Sequence, residues 1–421
     1  MSLVDGFLLF VLFSGPPTFR VRDSDASLYG EIDIAIVVQL LVWALAGVWV
    51  AYRLYRLNAI RTFTISKAHL IAVVLIVLLG CSTFVSLAPP LTAVKVYQMA
   101  VEFLFTWLFV ERYGYEKTLT RIFWASAILC IAIAIGALVA PEFVSDISET
   151  GSFRLRGGIA GTNSVSAFAL ILLIALYRRR AALFGAMAFL FLVILQFLAL
   201  TRASWLGLAA VFVIAAIKKP QIRGLKWVYA SMLFGVIALL AGGLGQINKF
   251  RDPDSVYDLS DRLGLWTYMS DAVLSQSPWF GLGYTAATRQ LGLEFHPDLG
   301  SGHSIFFDVF IGGGIISLIV FLLIFCALSI YVAKLLRSTD NAYCFAACGL
   351  FIYVLIMGSV GESIDTGPFG FTFWVLISLL PLLVNKVATE AGLARSNKSF
   401  VRVRRRRQLR PDFGGMSSPN F

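Results

Sequence analysis

"AALFGAMAFLFLVILQFLALTRASWLGLAAVFVIAAI", residues 181–217, is an apolar run of 37 residues interrupted by a single cation, Arg202. As one α-helix, rising 1.5 Å per residue, it would be about 55 Å long. The hydrocarbon core of a bilayer is only about 30 Å thick, so one crossing is excluded. The run has to be two crossings joined by a tight turn at "LTRAS". Arg180 and Lys218 flank it on one side of the membrane, which puts the turn on the other. Arg202 is then interfacial rather than buried at mid-bilayer.

The same arithmetic organises the rest of the chain. Its 421 residues are 58% hydrophobic and 14% charged, against about 25% charged in soluble domains. Apolar stretches long enough to read as membrane-spanning helices fall near 3–19, 32–52, 69–88, 92–110, 120–140, 159–176, 182–200, 203–217, 225–245, 304–333, 342–361 and 367–385. Barrel strands are excluded, because these runs are apolar on every face instead of alternating. The expected fold is an all-α, polytopic transmembrane bundle of about 12 spans over residues 1–386. The count is 11 if residues 3–19, which carry Asp5, re-enter without crossing. Residues 387–421 are polar and basic and are expected to be disordered.

The net charge of +11 invites a nucleic-acid reading, but its distribution argues for membrane lipid. Lys and Arg accumulate in cytoplasmic loops. One alternate set of loops, together with everything from Lys386 onward, holds 25 of the 35. That side, with the C-terminal tail, is cytoplasmic. The tail's "VRVRRRRQLR" is accounted for by this rule and by attraction to anionic lipid. All five cysteines fall in expected spans and have no metal-type spacing, and the three histidines form no metal cluster.

Two outer loops are long, 141–158 and 246–303, and long loops are usually functional or hold their own elements. The second contains "SDRLGLWTYMSDAVLSQSPW". Ser260 or Asp261 caps a helix there, Leu263, Trp266, Met269 and Val273 give helical spacing, and Pro278 follows its end.

Cations are few on the outer side: Arg20, Arg22, Lys95, Arg154, Arg156, Arg202, Lys249, Arg251, Arg262 and Arg289. Arg20 and Arg22 can pair with Asp23 and Asp25, and Arg289 reads as a solvated loop residue. Arg154 and Arg156 lie in "GSFRLRGGIAGTN", before a helix starting near Thr162–Asn163. Two guanidinium groups beside free helix N–H groups suit a phosphate or diphosphate; bonding of loop carbonyls is the alternative. Arg262 is placed either to pair with Asp258 at i,i+4 or to bind an anion near Trp266. Lys95 and Glu102, seven apart on one helix face, read equally as a structural pair or a functional intramembrane acid. His303, where the long loop re-enters the membrane, is either a helix-start histidine or an acceptor of a hydroxyl proton.

Four segments, "RLRGGIAGTN", "LTRASW", "DRLGLWTYMSDAVLSQSPWFGLGY" and "SGHSIFFDVFIGGGI", resemble in order those of the O-antigen ligase and O-antigen polymerase superfamily of bacterial envelope proteins. The family's Arg, Trp and Pro-x-x-Gly-x-Gly are matched by Arg262, Trp266, Pro278, Gly281 and Gly283, and its His with a Gly eleven residues on by His303 and Gly314. The chain departs from the family at Ser304, often Asn, and at Gly312, commonly Glu. The resemblance implies a glycosyltransferase of the inner membrane, active at the periplasmic face. It would move a glycan from an undecaprenyl-diphosphate carrier to a glycan or a lipid A-core sugar, in lipopolysaccharide or exopolysaccharide assembly. No cofactor and no metal are implied. Arg154, Arg156, Arg202 and Arg262 would hold the diphosphate and stabilise it as leaving group, His303 would act on the acceptor hydroxyl, and Asn163, Trp266, Lys95 and Glu102 would support the site. A transporter or flippase of anionic substrates is the alternative, but it should carry charge deep in several spans.

Overall fold

A computed structural model describes residues 3–15, 34–56, 65–147, 153–155, 157, 160–176, 182–199, 201–218, 262–296, 302–338, 341–360 and 367–408. The helices are α1 (Leu3–Ser14), α2 (Ile34–Arg56), α3 (Lys67–Cys81), α4 (Pro89–Val139), α5 (Thr162–Leu176), α6 (Ala182–Leu198) and α7 (Arg202–Lys218). After the loop come α8 (Arg262–Gln276), α9 (Ala286–Phe295), α10 (Ile305–Ser338), α11 (Ala342–Val360) and α12 (Pro368–Gln408). One two-stranded antiparallel ribbon, β1 (Ser145–Ile147) with β2 (Phe153–Leu155), adds a small exception to the all-α expectation. The expected span 225–245 and the expected caps Ser260 and Asp261 lie outside the described residues.

Among the described residues, six helices are long and apolar enough to cross a membrane, and 3–14, 162–176, 184–198 and 203–217 are shorter apolar helices. Large apolar side chains such as Leu45, Val48, Ile131, Ile135, Ile319 and Leu323 are exposed on their outer faces. Apolar surface on that scale in a folded chain is accounted for by contact with lipid. The centre belongs to α11 and α12, whose apolar windows are 67% buried against 22% for α2. Trp374, Phe373 and Tyr353 fill that centre.

The two spans expected over 92–110 and 120–140 are the arms of α4, broken at Gly114 (φ 71°, ψ 172°). Near its start Thr92 Oγ1 donates to the Tyr284 carbonyl. Just past its end, Gly157 N–H donates to Val144 O and Arg154 reaches Ala199. Beside the break, Tyr113 reaches Asp5 and Lys386 reaches Tyr115. Both ends of α4 therefore lie on the face that carries α8 and α9, called the loop face here, and the break lies on the opposite face.

That opposite face explains the acid in the first helix. Asp5 is fully buried and meets Arg53 at 3.3 Å, Arg112 at 3.1 Å and Trp49 Nε1 at 3.1 Å. At 12 residues, α1 is about 18 Å long, shorter than the hydrocarbon core. Its other end reaches the start of α12, where Gly15 lies beside Gly367. His69, at the start of α3, is likewise structural. Its Nδ1 accepts the Ser66 N–H at 3.3 Å, Nε2 meets Ser378 Oγ at 3.1 Å, and the ring stacks on Trp107.

Two further helices have their own detail. On α8 the buried stripe is Leu265, Met269 and Val273, whereas Leu263 is 48% exposed. An i, i+4, i+8 stripe is as helical as the expected one but is rotated away from Leu263. Helix α12 continues to Gln408 through a segment expected to be disordered. Extending an existing helix is far easier than nucleating one, and residues 387–408 hold six Arg and three Ala, both good helix formers.

Replacing Asp5 with Ala should leave Arg53 and Arg112 side by side without their carboxylate. Breaking a buried pair from one side costs roughly 3–5 kcal/mol, and less here because Arg112 is 39% exposed. We expect the thermal midpoint in detergent to fall by several degrees; an unchanged midpoint would contradict the assignment.

Candidate active site

The site starts from the turn at Ala199–Thr201. Arg154, on β2, donates from Nε to the Ala199 carbonyl at 3.3 Å, and Thr201 Oγ1 donates to the same oxygen at 3.1 Å. Arg202 follows as the first residue of α7; its side chain and the whole of Arg156 lie outside the described residues. The turn predicted by length arithmetic is thus in place, with Arg154 bound to its backbone. For this arginine the carbonyl-bonding alternative is realised.

Beneath the turn runs a buried polar chain that sequence reasoning missed. Gln196 Nε2 donates to Ser204 Oγ at 2.6 Å, Ser204 Oγ and the Tyr353 hydroxyl are 2.7 Å apart, and that hydroxyl donates to the Asn163 carbonyl at 3.2 Å. Since Tyr353 donates to a carbonyl, it has to accept from Ser204, which fixes the direction of the whole chain. Ser166 Oγ adds a contact to Gln196 Oε1 at 2.6 Å. Each member would be costly to bury unpaired. Together they tie α5, α6, α7 and α11 at one level. The available signal was the pair of polar residues, Gln196 and Ser204, flanking Arg202 inside an apolar run.

The second half of the site comes from the long loop. Arg262, the first residue of α8, donates from Nη1 to the carbonyl of Val360, the last residue of α11. A cation at a helix C-terminus is favoured there by the carbonyls left without helical partners. One turn on, Trp266 donates from Nε1 to the Gly302 carbonyl at 2.8 Å and stacks on Phe307 at 4.4 Å and 10°. Next to Gly302, His303 sits on the loop before α10 with φ 52°. Burial, and then the positive charge of Arg262, push the His303 imidazole down to about 4. The fold therefore brings together Arg262, Trp266 and His303, which are 41 residues apart at the extremes. The expected partner Asp258 lies outside the described residues.

The two halves share α11, since Tyr353 and Val360 are separated by two turns, about 10 Å. Asn163, the second residue of α5, is half-buried and contributes its carbonyl to the polar chain. Lys95 and Glu102 lie on α4, away from the loop segments in sequence, with Glu102 fully buried and Lys95 half-buried. Among the described residues no three His, Cys, Asp or Glu side chains are grouped as metal ligands.

The glycines of the loop segments hold it in place. Gly314 (φ 71°, ψ −170°) breaks α10. The N–H of Ile315 turns to Pro278 O at 2.9 Å and that of Ile316 to Trp279 O at 3.5 Å. The carbonyls of Ile311 and Gly312 take the N–H groups of Leu282 (2.9 Å) and Gly283 (3.1 Å). At Gly281, also in the left-handed region, a Cβ would lie 2.6 Å from the backbone of Gly312–Gly314. Glycine is required by both conformation and contact.

Residues 186–322 match the family model described as O-antigen ligase. The matched stretch, about a third of the chain, opens in α6 and closes in α10. It takes in the Arg202 turn, α8, both glycine segments and His303. No curated protein matches the chain.

Gly314→Ala would place a Cβ 2.3 Å from the Trp279 carbonyl, in a backbone region that is essentially glycine's alone and costs other residues about 1–3 kcal/mol. We expect it to lower the thermal midpoint and expose α8 to protease. Gly80→Ala, whose Cβ meets Val96 at an ordinary 3.7 Å, should leave both unchanged or raise the midpoint. Equal behaviour of the two variants would contradict the role given to the α10 break.

Over residues 186–322, the segment that builds this site, the chain is similar to the O-antigen ligase family.

Proposed function

We propose that the protein transfers a glycan from an undecaprenyl-diphosphate carrier to a sugar hydroxyl, without a metal ion, at the periplasmic side of the bacterial inner membrane. The observation that carries this reading is the meeting of Arg262 and His303 within the matched segment. The loop face is then periplasmic, the Asp5 face cytoplasmic, and the tail beyond Lys386 cytoplasmic. The spans number about 12, with 225–245 among them and α1 as a short partial one.

The chemistry follows from the charges. Attack of the acceptor hydroxyl on the anomeric carbon forms a C–O bond and breaks the one to the diphosphate, which leaves with the electron pair. Negative charge grows on that leaving group and has to be met by fixed positive charge. Guanidinium groups do this with a planar, permanently charged fork. Arg262 and Arg202 are assigned to the leaving group, and Arg154 and Arg156 to binding of the diphosphate.

His303 takes up the proton of the attacking hydroxyl. With its pKa held near 4, the imidazole is neutral at any pH above about 5 and needs no prior deprotonation. An incoming diphosphate offsets the Arg262 charge that depresses this pKa. The proton affinity of His303 therefore rises as donor binds and negative charge develops. Asn163, Trp266, Lys95 and Glu102 are assigned supporting roles. The acceptor is a lipid A-core sugar for a ligase and a growing glycan for a polymerase.

The test is transfer by purified protein, with a lipid-linked diphosphate glycan and an acceptor, in the presence of EDTA. Turnover should persist, and His303→Ala should lower kcat by roughly 10²–10⁴-fold. For the free enzyme, kcat/KM should fall on the acid side only through pH near 4. A protonation limb at the ordinary histidine value near 6.5, or full activity without His303, would contradict the assignment.

A further inference from the structure

We propose that Asp308 is a positioning residue for His303, acting through the Gly302 backbone; this rests on the reading of His303 as the group that acts on the acceptor hydroxyl. Asp308 lies in the first turn of α10 and is 3% exposed. Its Oδ1 accepts the N–H of Gly302 at 3.1 Å. On the other side of the same residue, the Gly302 carbonyl accepts from Trp266 Nε1 at 2.8 Å. Both backbone polar groups of Gly302 are thus held by side chains, one from α10 and one from α8.

His303 is one of only two non-glycine residues with positive φ among the described residues, the other being Thr285. Such a conformation is unfavourable for a residue with a Cβ and persists where neighbouring contacts over-determine it. The two bonds to Gly302 are those contacts. Gly302 is packed closely here, since a Cβ on it would sit 2.5 Å from Asp308 Oδ1. The ring of Trp266 lies flat against Phe307, the residue before Asp308, so the two clamping side chains are also packed through a neighbour. A carboxylate in the first helical turn is favoured by the helix N–H groups, and the Asp308 carboxyl oxygen accepts from Gly302 there. It holds the backbone from which the imidazole projects and does not itself touch the reacting atoms.

The experiment uses the full chain in detergent, a lipid-linked diphosphate glycan as donor, and the variants Asp308→Ala, Asp308→Asn, His303→Ala and the His303→Ala/Asp308→Ala double. Misplacing a catalytic group by about 1 Å costs on the order of 10²-fold. Asp308→Ala should therefore lower kcat by roughly 10–100-fold with the KM for donor unchanged. Asp308→Asn, whose amide oxygen can still accept from Gly302, should stay within about fivefold of the parent, because one neutral hydrogen bond replaces a charge-assisted one. The double variant should be no slower than His303→Ala alone, since residues acting as one unit are not additive. Losses that multiply in the double variant, a wild-type kcat for Asp308→Ala, or equal losses for Asn and Ala would each overturn the proposal. Full activity of His303→Ala would instead bring down the reading of His303 itself. Should Asp308→Ala fail to fold, Trp266→Phe removes the opposite bond and keeps the ring. It should lower kcat at constant donor KM, and a wild-type kcat for it would overturn the clamp.

Discussion

The exchange of backbone hydrogen bonds at the break in α10 is the interaction on which the candidate site depends. An uninterrupted helix would use the N–H groups of Ile315 and Ile316 on the carbonyls of Ile311 and Gly312. The left-handed Gly314 turns both pairs outward, and the 278–283 segment satisfies all four. The 278–283 segment is thereby docked to α10. Because α8 ends at Gln276, two residues before this exchange, its orientation is inherited from it. Arg262 and Trp266 then reach Val360 and Gly302 instead of solvent.

Charge divides the molecule into two faces with different logic. On one, Arg53 and Arg112 are matched by the buried carboxylate of Asp5, and the cluster fastens a short helix. On the other, burial and then the charge of Arg262 hold His303 away from protonation. Two cations, or a cation and a group kept neutral beside it, are a stable arrangement only when helix carbonyls or a bound anion compensate. Val360 supplies part of that compensation, and the proposed diphosphate supplies the rest during turnover.

Much of the fold was legible in the sequence, because length is decisive in a bilayer. The 181–217 run had to turn near Arg202, and α6 and α7 do turn there. The helix in the long loop was legible from period and from Pro278, although its buried stripe is set by Leu265 and not Leu263. What packs against a helix decides which of two adjacent stripes faces inward, and one-dimensional spacing does not carry that. The ribbon 145–155 and helix α9 are too short to announce themselves by periodicity. Of the site, the arginines and His303 stood out as polar residues in costly places. The Gln196–Ser204–Tyr353 chain did not, since Tyr353 lies 149 residues beyond Ser204 in sequence and only their pairing reveals it. Asp308 carries no such signal in the sequence, because its bond to Gly302 depends on how the loop meets the start of α10.

The central claim is that the loop face binds the diphosphate of a lipid carrier between Arg262, His303 and the Arg202 turn. A structure determined with undecaprenyl diphosphate bound tests this most directly. The account requires the two phosphates to lie against Arg262 and the start of α7, within hydrogen-bond reach of guanidinium nitrogens. Phosphates found instead at the opposite face, beside Arg53 and Arg112, would contradict it.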